Sequence, residues 1–489
     1  MKNKYSDLIE QTFEFPTEEF RTSSDGELLL RDISLMKLVE KHGTPLQFSY
    51  LPKISENIQK AKQWFSNAFE EHDYKGKYHY CYCTKSSHFK YVLKECLKND
   101  VHLETSSAYD LALIKKLVDH NEIKKDCFII CNGFKTEQYI DNIIELIELG
   151  FENLYVVIDN TKEFELLKNR TDKKIKLGIR IASEEEPKFA FYTSRLGIGY
   201  KDIVPFYENH IKNCSNIELK MLHFFINTGI RDTSYYWNEL RKCLNVYVQL
   251  KRICNPLDSL NIGGGFPIKK NLNFKYDYAY MVREIVSQIK LECSVKNIND
   301  PHIFTEFGSY TVGESGGTIY KIIHQKKQND REKWNMIDGS FMTTLPDAWA
   351  INERFILLPL NNWNLSYERV LLGGLTCDSD DYYNSEQHVN AIYLPEFNKD
   401  KPLYIGFFNT GAYQETIGGF GGLQHCLIPN PKHILIQKNE QGEITTKLYK
   451  EQQTSEELLS ILGYEMSQEG FIDINRTSQK RIPSDLNEQ

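Results

Sequence analysis

From about residue 77 to residue 307, short apolar runs alternate with stretches whose apolar positions recur every three or four residues. The runs are KYHYCYC, VHLET, CFIIC, LYVVID, IKLGIRIA, ELKMLHFF, SLNIG and HIFTEF. Helical periodicity fills the gaps, from about Ala108, Glu137, Thr161, residue 201, Tyr235 and Tyr278, and an earlier helix runs from Ile54 to Glu71. Strands separated by amphipathic helices form a parallel sheet, and eight such units predict an α/β fold, a (β/α)8 TIM-like barrel. Beyond Gly316 the period changes to short alternating runs (TIYKII, WNMIDG, RVLLGG, LYIGFF, HILIQK, ITTKLY) with few long helices between them. These predict a second, C-terminal antiparallel β domain. The expected division is an N-terminal lead-in at 1–45 packing with the β domain, a barrel at 46–316, and the β domain with a polar tail at 317–489.

Composition changes this picture little, but it excludes several function classes. Acidic residues outnumber basic ones, 67 to 59, for a net charge of −8, and no basic run stands out, so nucleic acid is not an expected partner. No apolar run is long enough to span a bilayer, and the N-terminus lacks the apolar core of a secretory signal. Eleven scattered cysteines without paired metal-ligand spacing read as reduced thiols in a cytoplasmic protein, with no metal site.

In a barrel of this kind, working residues sit at the C-terminal ends of the strands. Lys85 follows the first run and reads either as a solvated lysine or as one that forms a Schiff base with pyridoxal phosphate. Gly263, Gly264 and Gly265 follow the seventh run, where bare backbone N–H groups can close around a phosphate. A tight turn ahead of Pro267 is the competing reading. Glu306 ends the eighth run among apolar residues, and a carboxylate there needs a cation, either a protonated pyridine nitrogen or a structural salt-bridge partner. In the second domain Cys377 and Asp378 lie in an acidic loop, GGLTCDSDD, and Tyr413 follows a Gly-Ala turn. The loop reads as a proton donor with a grip for a cationic tail, or as a solvated turn. Tyr413 reads as a phosphate donor or as core.

Together these features resemble the pyridoxal-phosphate decarboxylases of the alanine-racemase-like fold, which include the ornithine, diaminopimelate and biosynthetic arginine decarboxylases. The similarity runs from DGELLLRDISLMKLVEKHGTPL to about residue 436. LETSS (103–107), ICNGFK (130–135), TTLPDAWAI (343–351), TCDSD (376–380) and GFFNTGAYQE (406–415) are similar to motifs of the arginine branch. The resemblance implies that Lys85 carries pyridoxal phosphate, Gly263–Gly265 cradle its phosphate, Glu306 pairs with its ring nitrogen and Tyr413 reaches the phosphate. It further implies that Cys377 returns a proton to Cα across a homodimer interface, while Asp378, and Asp347 of TTLPDAWAI, face the substrate's distal cation.

Two departures accompany the resemblance. Phe225 stands where the family has a histidine stacked on the cofactor, with Thr228 at the position of a serine, and Ser309 stands where the family has an arginine near the phosphate. A lowered pKa is expected for Lys85, because a neutral amine is needed for attack. Magnesium dependence is implied only by the arginine branch. The expected reaction is decarboxylation of a small basic L-amino acid, arginine to agmatine, in a homodimer with shared active sites. The alternatives are the same chemistry on diaminopimelate, ornithine, lysine or a carboxylated polyamine, and, from another class, a non-catalytic regulatory homologue.

Overall fold

The computed structural model describes residues 3–184, 194–383 and 392–464. The polar tail expected after 464 lies outside these residues. Eight parallel strands close a barrel: β1 (Tyr78–Cys83), β2 (His102–Thr105), β3 (Ile129–Cys131), β4 (Leu154–Ile158), β5 (Ile175–Arg180), β6 (Ile217–His223), β7 (Ser259–Asn261) and β8 (His302–Phe307). All eight come from the runs that predicted them. The seam is β8 against β1, with Cys81 opposite Glu306.

Side chains two apart on a strand share a face, so the barrel interior is built in layers. Cys81, Ile130, Val157, Met221 and Phe304, joined by Tyr155, form a dry plug. The residues two positions on, Cys83, Asn132, Asp159, His223 and Glu306, form the next layer up, at the C-terminal mouth. The apolar plug therefore sets the height of the polar layer. Outside the strands the helices bury a continuous core whose members include Ile58 and Phe65 of the helix Pro52–Glu71 and Leu240 and Tyr247 of the helix Ser234–Ile253.

Among the described residues the second sheet has ten strands and is mixed, not purely antiparallel. Gly316–Lys327 pairs antiparallel with Lys333–Ile337, Tyr404–Phe408 and Leu46–Tyr50. Two pairings are parallel: Lys333–Ile337 with Tyr367–Gly373, and Leu46–Tyr50 with Lys432–Lys438. The strand Leu46–Tyr50, which a boundary at residue 46 assigns to the barrel, thus belongs to the second sheet. It is buried along its whole length, and only the interior of that sheet offers it hydrogen-bond partners on both edges. The N-terminal segment packs there too: Tyr5, Ile9, Phe20 and Leu28 share a core with Ile319, Trp363, Phe408 and Ile434.

Candidate active site

At the mouth of the barrel lies a cavity of about 530 Å³, lined among others by Cys83, Lys85, Asn132, Arg180, His223, Phe225, Gly264, Gly265, Glu306, Ser309 and Tyr413. Lys85 sits in a single helical turn, Thr84–Ser86, directly after β1. The turn is tied to β2 by Thr84 Oγ1, which donates to the Glu104 carbonyl at 3.0 Å. Glu104 is fully buried: its Oε2 accepts from Cys83 Sγ at 2.6 Å and its Oε1 from Ser106 Oγ and Asn132 Nδ2, each at 3.0 Å. This carboxylate, followed by Cys83, pushes the Lys85 ammonium well above the ordinary lysine range. The lowered pKa expected from attack chemistry is therefore corrected: a buried negative neighbour outweighs desolvation and holds the proton on Lys85.

Glu306 faces Lys85 across the layer. Its Oε1 accepts from Asn132 Nδ2 at 2.8 Å and Asn261 Nδ2 at 2.6 Å, and its Oε2 lies 3.5 Å from His223 Nε2. Burial pushes its pKa up, only partly opposed by the two amides. His223 is buried and held neutral, its pKa pushed down to about 3 by burial and then by Arg180. Arg180, from the end of β5, places its guanidinium 5.5 Å from the centre of the Phe225 ring, with its Nε 3.9 Å from Asp159 Oδ1. A cation at that distance is attracted by the ring's quadrupole, by roughly 0.5–2 kcal/mol. Phe225 is thereby backed by a charge, although it offers no hydrogen bond of its own.

Part of the cavity wall is built from small groups. Gly265 has φ +110°, and a Cβ on Gly264 would collide with the Glu306 carbonyl. A side chain on Gly308 would collide with Ser86 Oγ, which is buried and has no hydrogen-bond partner. The Tyr413 hydroxyl lies beside Ser86 and Ser309, and the Tyr413 N–H donates to the Ser86 carbonyl at 2.8 Å, bringing the second domain to the rim of the barrel. Asn132 Oδ1, Arg180 Nε and both ring nitrogens of His223 are also buried without hydrogen-bond partners. Buried polar atoms are rarely left so; the set suits a polar occupant, and Ser86 Oγ beside the glycines is a free donor that fits an anionic group such as the phosphate of pyridoxal phosphate.

The structure thus gathers Lys85, Phe225, Gly264, Gly265, Glu306 and Tyr413 around one cavity. Gly263 is not on its wall, and its N–H is already given to Asn261 Oδ1 at 2.9 Å. Thr228 is half-buried in the turn beyond β6 and is also off the wall. Asp347, Cys377 and Asp378 belong to the second domain and do not line the cavity. Asp347 Oδ2 accepts from Gln414 Nε2 at 2.7 Å, next to Tyr413. Cys377 is exposed with its Sγ 3.6 Å from that of Cys426, and this neighbour raises its pKa. Arg180 and Asn261 were not singled out from the sequence. Their signal was position alone, one at the end of the fifth run and one just ahead of the three glycines. Asp381 was also missed: its carboxylate accepts from Ser340 Oγ, Phe341 N, Met342 N, Thr376 N and Thr376 Oγ1, and so shapes the loop that carries Cys377. Among the described residues, no group of three or more His, Cys, Asp or Glu is placed to hold a metal ion, and no helix is long and apolar enough to cross a membrane.

Known proteins resemble this chain in sequence and in fold. The sequence profile of a family described as "Pyridoxal-dependent decarboxylase, pyridoxal binding domain" matches residues 54–313. A biosynthetic arginine decarboxylase of Prochlorococcus marinus (strain MIT 9515) is 25% identical, over 89% of this chain and 85% of that protein. The crystal structure of the biosynthetic arginine decarboxylase of Campylobacter jejuni superposes with a TM-score of 0.79 at 19% identity, covering 98% of this chain and 94% of that one. A diaminopimelate decarboxylase of M. jannaschii superposes with a TM-score of 0.75, also at 19% identity, covering 91% and 97%. At that identity the superpositions speak for the fold.

Proposed function

Because the chain belongs to the pyridoxal-dependent decarboxylases, with pyridoxal phosphate as cofactor, we propose that it removes the α-carboxylate of a basic L-amino acid, arginine first, releasing CO2 and agmatine for polyamine synthesis. The observation that carries the reading is the single cavity in which Lys85, Glu306 and the Gly264–Gly265 turn converge. When bound, the cofactor supplies an electron sink for the pair left at Cα as CO2 departs. Lys85 is the residue to hold it, and the buried charge of Glu104 holds the Lys85 proton in the cofactor-free protein. Glu306 would hold the ring nitrogen in its protonated form, which preserves the sink. Phe225, backed by Arg180, supplies a flat face for the ring. Gly264, Gly265, Ser86, Ser309 and Tyr413 offer neutral donors to the phosphate, in a site where Ser309 replaces a family arginine.

Arginine is favoured by the relatives' similarity along most of the chain and by the acidic loop at Cys377–Asp381, which suits a cationic tail. The residues outside the cavity then act on a neighbour. Cys377 serves as proton donor to Cα, and Asp378 and Asp347 face the distal cation, each reaching the barrel of a second copy. A homodimer is supported by exposed Trp349, Ile351 and Leu375 in the segments that carry these residues, and by exposed Ile417, Leu423 and Leu427 in the segment after Tyr413. Apolar groups clustered in this way mark association surfaces. The test is CO2 release from a panel of arginine, ornithine, lysine and diaminopimelate by protein saturated with cofactor. Fastest turnover of arginine is expected, and a preference for another member overturns the substrate assignment. No release from any of them overturns the enzyme reading.

A further inference from the structure

Eight of the eleven cysteines are buried and Cys214 is half-buried; only Cys377 and Cys426 are exposed. These two lie 49 positions apart in sequence, yet their sulfurs are 3.6 Å apart. Two pinned loops bring them together. The Cys377 loop is fastened at its base by buried Asp381 and its five donors. The Cys426 loop is fastened by buried Gln424, whose Nε2 donates to the Gly418 carbonyl at 2.8 Å and to Asn430 Oδ1 at 3.0 Å. Beyond these anchors the tips are exposed, and Cys426 and Leu427 both hold left-handed backbone at φ 54°. A further contact joins the same tips: His425 Nε2 lies 3.6 Å from Asp378 Oδ2.

From this juxtaposition we infer that Cys377 and Cys426 are a reversible disulfide pair that takes the enzyme's proton donor out of service under oxidising conditions. The inference rests on the reading of Cys377 as that donor. A disulfide needs the sulfurs at about 2.05 Å, so the tips must close by about 1.5 Å, a side-chain-scale movement at two loop ends that are exposed in the single chain. The oxidant is a peroxide. One thiolate attacks a peroxide oxygen to give a sulfenic acid and hydroxide, and the second thiol displaces the hydroxyl as water. Two thiols and one hydrogen peroxide thus become one disulfide and two waters, with two electrons passing to the peroxide. A dithiol reverses the step by thiol–disulfide exchange.

The experiment treats full-length protein saturated with cofactor with graded hydrogen peroxide, alkylates free thiols and maps disulfides by peptide mass spectrometry. CO2 release is measured in parallel, before and after dithiothreitol. The expected result is a peptide pair joining Cys377 to Cys426 within one chain, a parallel fall in rate of about a hundredfold, at the low end for a positioned proton donor, and recovery with dithiothreitol. Cys426→Ser should keep the untreated rate, form no such link and lose reversible inactivation. Absence of the link, or a link between two chains, overturns the inference. A complete link with an unchanged rate also overturns it, and the untreated rate of Cys377→Ala then shows whether the reading of Cys377 as proton donor has failed as well.

Discussion

Substituting Glu306 by Gln separates a cofactor-holding carboxylate from a structural one, because two effects of opposite sign are expected. The side chain is almost fully buried, and its Oε1 accepts two amide hydrogen bonds, from Asn132 and Asn261. A glutamine carbonyl accepts both, so the change removes charge while keeping shape. Without cofactor, the carboxylate is penalised by burial, and its folded pKa lies above its unfolded one. A carboxyl shifted upward stabilises the fold at low pH and loses that contribution as pH rises through the folded pKa. At neutral pH, then, Glu306→Gln should leave the cofactor-free protein as stable as wild type or more so. With cofactor bound, the proposed hydrogen bond from a charged ring nitrogen to the carboxylate would be lost. Such bonds contribute about 1.5–3 kcal/mol, or roughly tenfold to 150-fold in cofactor affinity. Titration of pyridoxal phosphate onto stripped protein, read by visible absorbance, measures the loss, and thermal melts with and without cofactor measure the two stabilities. Unchanged cofactor affinity together with a less stable cofactor-free variant would refute the reasoning and make Glu306 a structural residue.

Lys85→Ala should be colourless after incubation with cofactor and should release no CO2, whereas wild type turns yellow; a colourless wild type sinks the lysine assignment. Phe225→Ala should weaken cofactor binding by about twofold to tenfold, the scale of one aromatic stacking contact, measurable in the same titration. Asp381→Ala strands several buried donors and should cost about 2–4 kcal/mol in urea unfolding, and it should also slow turnover by loosening the Cys377 loop. Acid should destabilise the fold from about pH 6.5 downwards. His79, His102, His223 and His433 are held neutral by burial at pKa values of about 3, 4, 3 and 4, so the unfolded chain binds protons that the folded one refuses. Melting temperatures that stay flat between pH 6.5 and 4.5 would contradict this.

Local pattern carries the architecture here, because strand and helix periods are properties of a few consecutive side chains. It marked all eight barrel strands and put Lys85 and Glu306 at their C-terminal ends, where a barrel has its open face. It did not reveal that Leu46–Tyr50 sits in the second sheet, since a short buried strand reads alike in either sheet and only its partners decide. Nor did it show the charge state of Lys85, which depends on Glu104 being brought against it from another strand and sealed from water. The ring formed by Asn132, Asn261, His223, Arg180 and Glu306 exists only once the barrel closes and the apolar layer beneath sets their common height. The approach of Cys377 to Cys426 likewise comes from two anchors, Asp381 and Gln424, that hold distant loops side by side. The sequence by itself determined which groups this protein brings to its chemistry. Closure of the barrel and docking of the second domain decided which of them meet, because distance and burial, not residue type, set the strength of each interaction.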